Sequence, residues 1–202
     1  MLPGILRSFA HSHPGVRVRL IDDNSAGISS RVIRAEADLG IGSLFGDTSG
    51  MACRPLLTAP LGLLYDPARY RVQAAIKTGD LSHLPLLKEP PDSSIMQVLQ
   101  SRGSRLVQQM EKGIEVSSLA LQLALAQAGV GVAVVSALGA SHPQASGLKF
   151  LPLKPTMKRE VFMMQRRDRE LNPSARSFAK ALQDGLAHAT LHSSVKRVAT
   201  GH

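Results

Sequence analysis

Small hydroxyl and amide residues recur just ahead of apolar helical patterns: Asn24-Ser25, Ser43, Ser93-Ser94 and Ser117-Ser118. A serine or asparagine there can cap a helix by accepting a backbone N–H bond. Helix N-termini also present free N–H groups and a partial positive charge. Several of them at the carboxyl ends of strands would suit a small carboxylate. Spacing alone leaves both chemistries open at each position.

Other chemistries fail on residue type. Gly129-Val130-Gly131 offers G-x-G, but Val134 stands where a dinucleotide fingerprint needs its third glycine. Neither a phosphate-binding G-x-x-x-x-G-K-[ST] nor a G-x-S-x-G nucleophile elbow occurs. Asp22-Asp23-Asn24 resembles the opening of a calcium loop, but Ile33 or Arg34 replaces the closing glutamate. His11 with His13, and His188 with His192, each offer two nitrogens without a carboxylate or thiol at ligand spacing. Cys53 has no histidine near it in sequence and reads as a buried structural thiol. No catalytic residue, metal or cofactor is expected.

Composition narrows the classes further. The 202 residues are 44% hydrophobic, enough to build a core, but only 3% aromatic, which disfavours base stacking on single strands. A single cysteine excludes an internal disulfide and fits a reducing, cytoplasmic setting. The net charge of +9 is concentrated late: residues 151–202 carry 10 basic and 4 acidic groups. The first residues lack a signal-peptide pattern. The longest apolar stretch without a charge, near 116–141, contains Ser117, Ser118, Gln122 and Gln127 and is broken by Gly129 and Gly131, so no membrane span is expected.

The elements that must position the serines follow from periodicity. Leu2, Ile5, Leu6 and Phe9 predict a helix over 2–12, stopped by His13-Pro14-Gly15. Residues 16–20 alternate like a strand with one wet face. Asp22–Ser25 caps a helix whose Ile28, Val32 and Ile33 point inward, and 39–42 form a short strand. Separate strands are expected at 53–57 and 61–65, then a crossing segment over 66–91. A helix over 93–102 is capped by Asp92 or Ser93, and 114–116 form a short strand. Residues 119–128 are apolar almost all round, predicting a buried helix. Strands follow at 132–135, 148–153 and 161–165, and Asn172-Pro173 opens a last helix with Ala175, Phe178, Ala179, Leu182 and Leu186 on one face. Alternating strands and helices predict an α/β protein with mostly parallel sheets, in two lobes.

The order of motifs resembles the effector-binding domain of LysR-type transcriptional regulators. The resemblance rests on Leu2-Pro3-Gly4-Ile5-Leu6-Arg7-Ser8-Phe9, His13-Pro14-Gly15-Val16-Arg17-Val18 and Ala35-Glu36-Ala37-Asp38-Leu39-Gly40-Ile41-Gly42. Further matches are Arg54-Pro55-Leu56-Leu57, Leu61-Gly62-Leu63-Leu64, Val116-Ser117-Ser118-Leu119, Ala128-Gly129-Val130-Gly131 and Asn172-Pro173-Ser174-Ala175. It extends from residue 1 to about residue 188.

That resemblance implies two Rossmann-like lobes of the type 2 periplasmic-binding-protein kind, here lacking the first strand of lobe one. Lobe I would comprise 1–70 and a return over 161–189, lobe II 71–160, and 190–202 a disordered tail. A small-molecule effector, expected to be an organic anion, would meet Asn24, Ser25, Gly42, Ser43, Ser93, Ser94, Ser117 and Ser118 in an inducer cleft. The resemblance also implies a homodimer or tetramer, in which the first helix and 16–20 pair with a partner's second lobe near 119–127. DNA contact would be made only through an N-terminal helix-turn-helix absent from this chain. The rival expectations are a periplasmic-type solute-binding protein of the same fold and an enzyme built on this lobe pair.

Overall fold

The computed structural model describes residues 1–44, 46–73 and 81–198. Two compact units emerge. One comprises Met1–Leu57, Glu160–Thr190 and the chain from Arg197; the other comprises Thr58–Arg159 and Leu191–Lys196. The first boundary thus falls inside a strand, rather than near residue 70. Part of the expected crossing segment, 74–80, lies outside the described residues.

The first unit opens with α1 (Leu2–Ser12), which buries Ile5 and Phe9. It packs against α7 (Pro173–His188): Phe9 meets Phe178 edge-on at 5.1 Å, and a Cβ on Gly185 would lie 2.5 Å from Ile5 Cγ1. The cap-then-proline start of α7 is realised, with Asn172 Oδ1 accepting from Ala175 N at 2.8 Å. Ala175, Ala179, Leu182 and Leu186 are buried along one face. α2 (Ser25–Ile33) follows Asn24 and lies over β1 (Gly40–Gly42). The β1 glycines permit that approach, since a Cβ at Gly40 would fall 2.8 Å from Ile28 and 2.9 Å from Val32. Val32 is buried as expected, but Ile33 is exposed and is no core residue. β1 pairs antiparallel with β5 (Lys158–Arg166), Gly40 opposite Met164. Val32, Met51 and Met164 form this unit's sheet-side core.

In the second unit the later half of β2 (Met51–Tyr65) is the central strand. It pairs antiparallel with β3 (Ala133–Ser136) and β4 (Lys149–Pro152). Alternate side chains enter separate cores. Leu61, Leu63 and Tyr65 pack with α3 (Ser94–Ser101) and α4 (Leu106–Met110), while Leu64 packs with Leu123 of α5 (Leu119–Gln127) and Ala145. Two apolar layers on one sheet make this unit an α/β sandwich. A short α6 (Ala137–Ala140) continues β3.

Several expectations need correction. The named strand pairs with assigned register are antiparallel, not mostly parallel; parallel pairing survives only as isolated bridges, Leu86 with Val132 and Lys88 with Glu115. The second of these is all that forms of the expected strand at 114–116. The expected pair of strands at 53–57 and 61–65 is one continuous strand, which carries Pro55 and Pro60 within it. Residues 16–20 form no strand: among the described residues none lies alongside to complete a ladder, and Leu20 is 60% exposed.

The tail does not fray over 191–198. In the first unit Arg197 caps the end of α7, its Nε donating to Leu186 O at 2.8 Å, and Val198 N donates to Leu56 O at 3.0 Å. Those bonds place Lys196–Arg197 as β6 beside β2. In the second unit His192 N donates to Ser141 Oγ at 2.8 Å, and Val195 is buried.

Candidate functional site

The serine-bearing segments gather as two sets, one in each unit. In the first, Asn24 caps α2, its Oδ1 accepting from Gly27 N at 2.8 Å. Arg31 braces that start through Asp23 at 2.8 Å, and the guanidinium holds the Asp23 carboxyl below the usual carboxylate range. Ile28 packs over Gly42, where a Cβ would lie 3.0 Å from its Cδ1. Because Val32 reaches back to Gly40, the start of α2 lies toward the Ser43 end of β1. Asn24, Ser25, Gly42 and Ser43 therefore share one end of the layer. Ser25 is buried, and Ser43 donates its hydroxyl to Glu160 O at 2.8 Å. Gly42 answers to helix packing.

In the second unit Ser93 caps α3, Oγ accepting from Met96 N at 3.0 Å, and Ser94 is the first helical residue. α5 begins differently. Ser117 and Ser118 are exposed, and Ser118 makes no capping bond through its side chain, which leaves the first N–H groups of that helix without side-chain acceptors.

Between these helix starts lies a carboxylic acid with no counterpart among the residues expected from sequence. Glu89 is only 7% exposed and accepts from Gln122 Nε2 at 2.7 Å. The same nitrogen donates to Val116 O at 3.1 Å. Ser93 donates its hydroxyl to the carboxyl, and the charge of Arg159 acts on it. Burial is the dominant influence and raises the Glu89 carboxyl above its usual range, against the opposing pull of Gln122, Ser93 and Arg159. Two sequence signals pointed here. Glu89 stands directly before Pro90-Pro91, and Gln122 is the lone polar residue in the first two turns of α5.

The sign of the resulting pH dependence follows from linkage. A carboxyl with a raised folded value contributes stability that is fully present below its unfolded value, about 4.3. That contribution is lost as pH rises through the folded value. Glu89→Gln is therefore expected to gain stability relative to the native chain as pH goes from 4 to 8. Urea unfolding of both at several pH values checks this; parallel profiles would show that Glu89 titrates alike folded and unfolded.

Cys53 is half-buried on β2. It is therefore less enclosed than expected; burial raises its thiol, the Arg167 charge opposing. Among the described residues no group of three His, Cys, Asp or Glu could hold a metal ion, and no helix is long and apolar enough to cross a membrane.

Residues 1–187 match the LysR substrate binding domain. The chain belongs to that family. As a LysR substrate-binding domain it is 24% identical over 189 residues to an uncharacterized HTH-type transcriptional regulator, YbhD, of Escherichia coli K12. That match covers 88% of this chain but 56% of the regulator, so the chain spans little more than half of that relative's length. Among solved structures, the regulatory domain of CcmR from Synechocystis PCC6803 in complex with 2-PG superposes with a TM-score of 0.75 at 20% identity, covering 93% of this chain and 91% of that one. The effector-binding domain of QuiR in complex with shikimate gives 0.71 at 16% identity, with 93% and 91% covered. These likenesses fix the fold as that of the LysR effector-binding domains, the type 2 periplasmic-binding-protein arrangement.

Proposed function

We propose that this domain senses a small organic anion on behalf of a longer, cytoplasmic, DNA-binding regulator, and that it performs no catalysis itself. The observation that carries the proposal is the open start of α5, where exposed Ser117 and Ser118 stand beside uncapped backbone donors in a LysR substrate-binding domain. Oriented N–H groups at a helix N-terminus favour an anion without requiring a resident cation. The effector-bound state of two fold relatives, with shikimate and with 2-PG, supports a ligand of that size.

The candidate residues form two sets with unequal roles, Asn24, Ser25, Gly42 and Ser43 in the first unit and Ser93, Ser94, Ser117 and Ser118 in the second. Ser43 and Ser93 already spend their hydroxyl protons on Glu160 O and Glu89, so they contribute chiefly through backbone and shape. Ser117 and Ser118 are the side chains poised to donate. Any response must come from differential affinity of the ligand for two arrangements of the domain. DNA contact is assigned to a helix-turn-helix supplied by a longer chain, and self-association to the apolar surface of α5.

Titration calorimetry against a panel of small organic anions, beginning with shikimate and 2-PG, tests the assignment. Ser118→Ala is expected to weaken the best binder by about 1–3 kcal/mol, the cost of leaving a charged oxygen short of a donor. Ser43→Ala is expected to change affinity less. The reverse order would move the site to the first unit's set.

A further inference from the structure

The second unit buries a polar group that its fold does not need. α5 is otherwise apolar through its first two turns, yet it turns Gln122 inward, 3% exposed, with Oε1 sealed from solvent and no hydrogen-bond partner. Opposite it stands Glu89, an acid taken out of water. A leucine at 122 and an apolar residue at 89 would satisfy the core at lower cost, because an enclosed polar atom without a partner opposes folding. Buried polar groups kept at such a cost concentrate where geometry has to be exact.

The bonds of Glu89 show what is being held. Its carboxyl takes the Gln122 amide, which also grips Val116 O, directly ahead of Ser117 and Ser118. The same carboxyl takes the Ser93 hydroxyl, whose oxygen in turn accepts Met96 N and closes the cap of α3. Neighbouring backbone bonds hold the acid's own strand segment: Lys88 N donates to Ile114 O, and Val116 N to Lys88 O, both at 2.9 Å. Lys88 pairs outward with Glu111 at 3.0 Å and Glu115 at 3.3 Å, and Arg159 supplies the cationic field on the acid. One buried carboxyl thus joins two helix starts, 92–94 and 116–119.

We propose that Glu89 is the positioning residue of the effector site in this unit. Through Ser93 and Gln122 it fixes where the starts of α3 and α5 present their N–H groups to the ligand, without touching the ligand itself. The proposal rests on the effector-sensing function above and adds a residue to it. Losing the carboxyl frees both segments, whereas losing Gln122 alone frees only the α5 start and leaves the α3 cap closed.

The test uses the 202-residue chain with shikimate, 2-PG and inorganic phosphate as probes, each titrated well below the unfolding midpoint of every variant. Glu89→Ala is expected to bind the best probe about tenfold more weakly, and Glu89→Gln, which keeps an acceptor oxygen for Gln122 and Ser93, to recover most of that loss. Gln122→Leu leaves Glu89 and Val116 O each short of a donor, so its unfolding midpoint is expected to fall while its affinity is lost. Affinity lost by variants that are fully folded under the titration conditions, and recovered in Glu89→Gln, is what a purely structural role would not produce. Folded Glu89→Ala or Gln122→Leu binding as tightly as the native chain overturns the proposal and leaves the sensing function standing. If Glu89→Ala does not fold, Gln122→Leu alone decides. A native chain that binds none of the probes overturns the sensing function and this proposal together.

Discussion

The domain is expected to form a dimer, and Leu121→Glu to convert it to a monomer. α5 carries no charge, and its outward side is Leu119, Ala120, Leu121 and Ala124, with Leu121 51% exposed. Water is a poor neighbour for a helix whose mean character is that of a core. The first unit offers matching apolar surface in Val18, Leu20 and Ile21, exposed on a segment that has no ladder partner. A twofold pairing would use each surface twice and close on itself. A carboxylate buried without a partner at such a contact costs on the order of 3 kcal/mol, about a hundredfold in association. Light scattering coupled to size-exclusion chromatography should find the native domain near twice 21.6 kDa and the variant near 21.6 kDa. A native monomer at micromolar concentration would remove α5 from any dimer interface.

Gly113→Ala is expected to be the most destabilising of the small substitutions. A Cβ there would lie 2.0 Å from the carbonyl oxygen of Leu86. That carbonyl cannot swing aside, because Leu87 N bonds Val132 O and Lys88 N bonds Ile114 O on the same segment. The clash falls on backbone, so the strand segment before Glu89 must shift as a unit, at about 3 kcal/mol or more. Gly50→Ala is the control: nothing lies within 4 Å of its Cβ position, and the change should stay within about 0.5 kcal/mol. Urea unfolding compares the two. A lowered midpoint with unchanged slope is expected for Gly113→Ala, and equal midpoints would show that the segment yields.

The same segment marks where the sequence stopped being legible. Helix starts were readable because capping is local: Asn24, Ser93 and Asn172 each bond an N–H three residues on. β2 was readable as two strand-like runs, 53–57 and 61–65, although the expected break between them is absorbed into one strand. Pairing was not readable. The 16–20 alternation specifies which side chains share a face and says nothing of whether a neighbouring strand exists. Apolar character was no guide to burial in α5, since Leu119 and Leu121 face outward while Gln122 faces in. The Glu89–Gln122 bond joins residues 33 apart, and no local pattern reports a contact of that range.

Hydrogen exchange with and without a bound effector tests the sensing function most directly. A ligand found by titration should slow exchange at the backbone amides of 119–121 and of 93–96, the two helix starts that Glu89 joins. Protection confined to other surfaces, or saturating binding of no small organic anion, would contradict a sensing role for these helix starts.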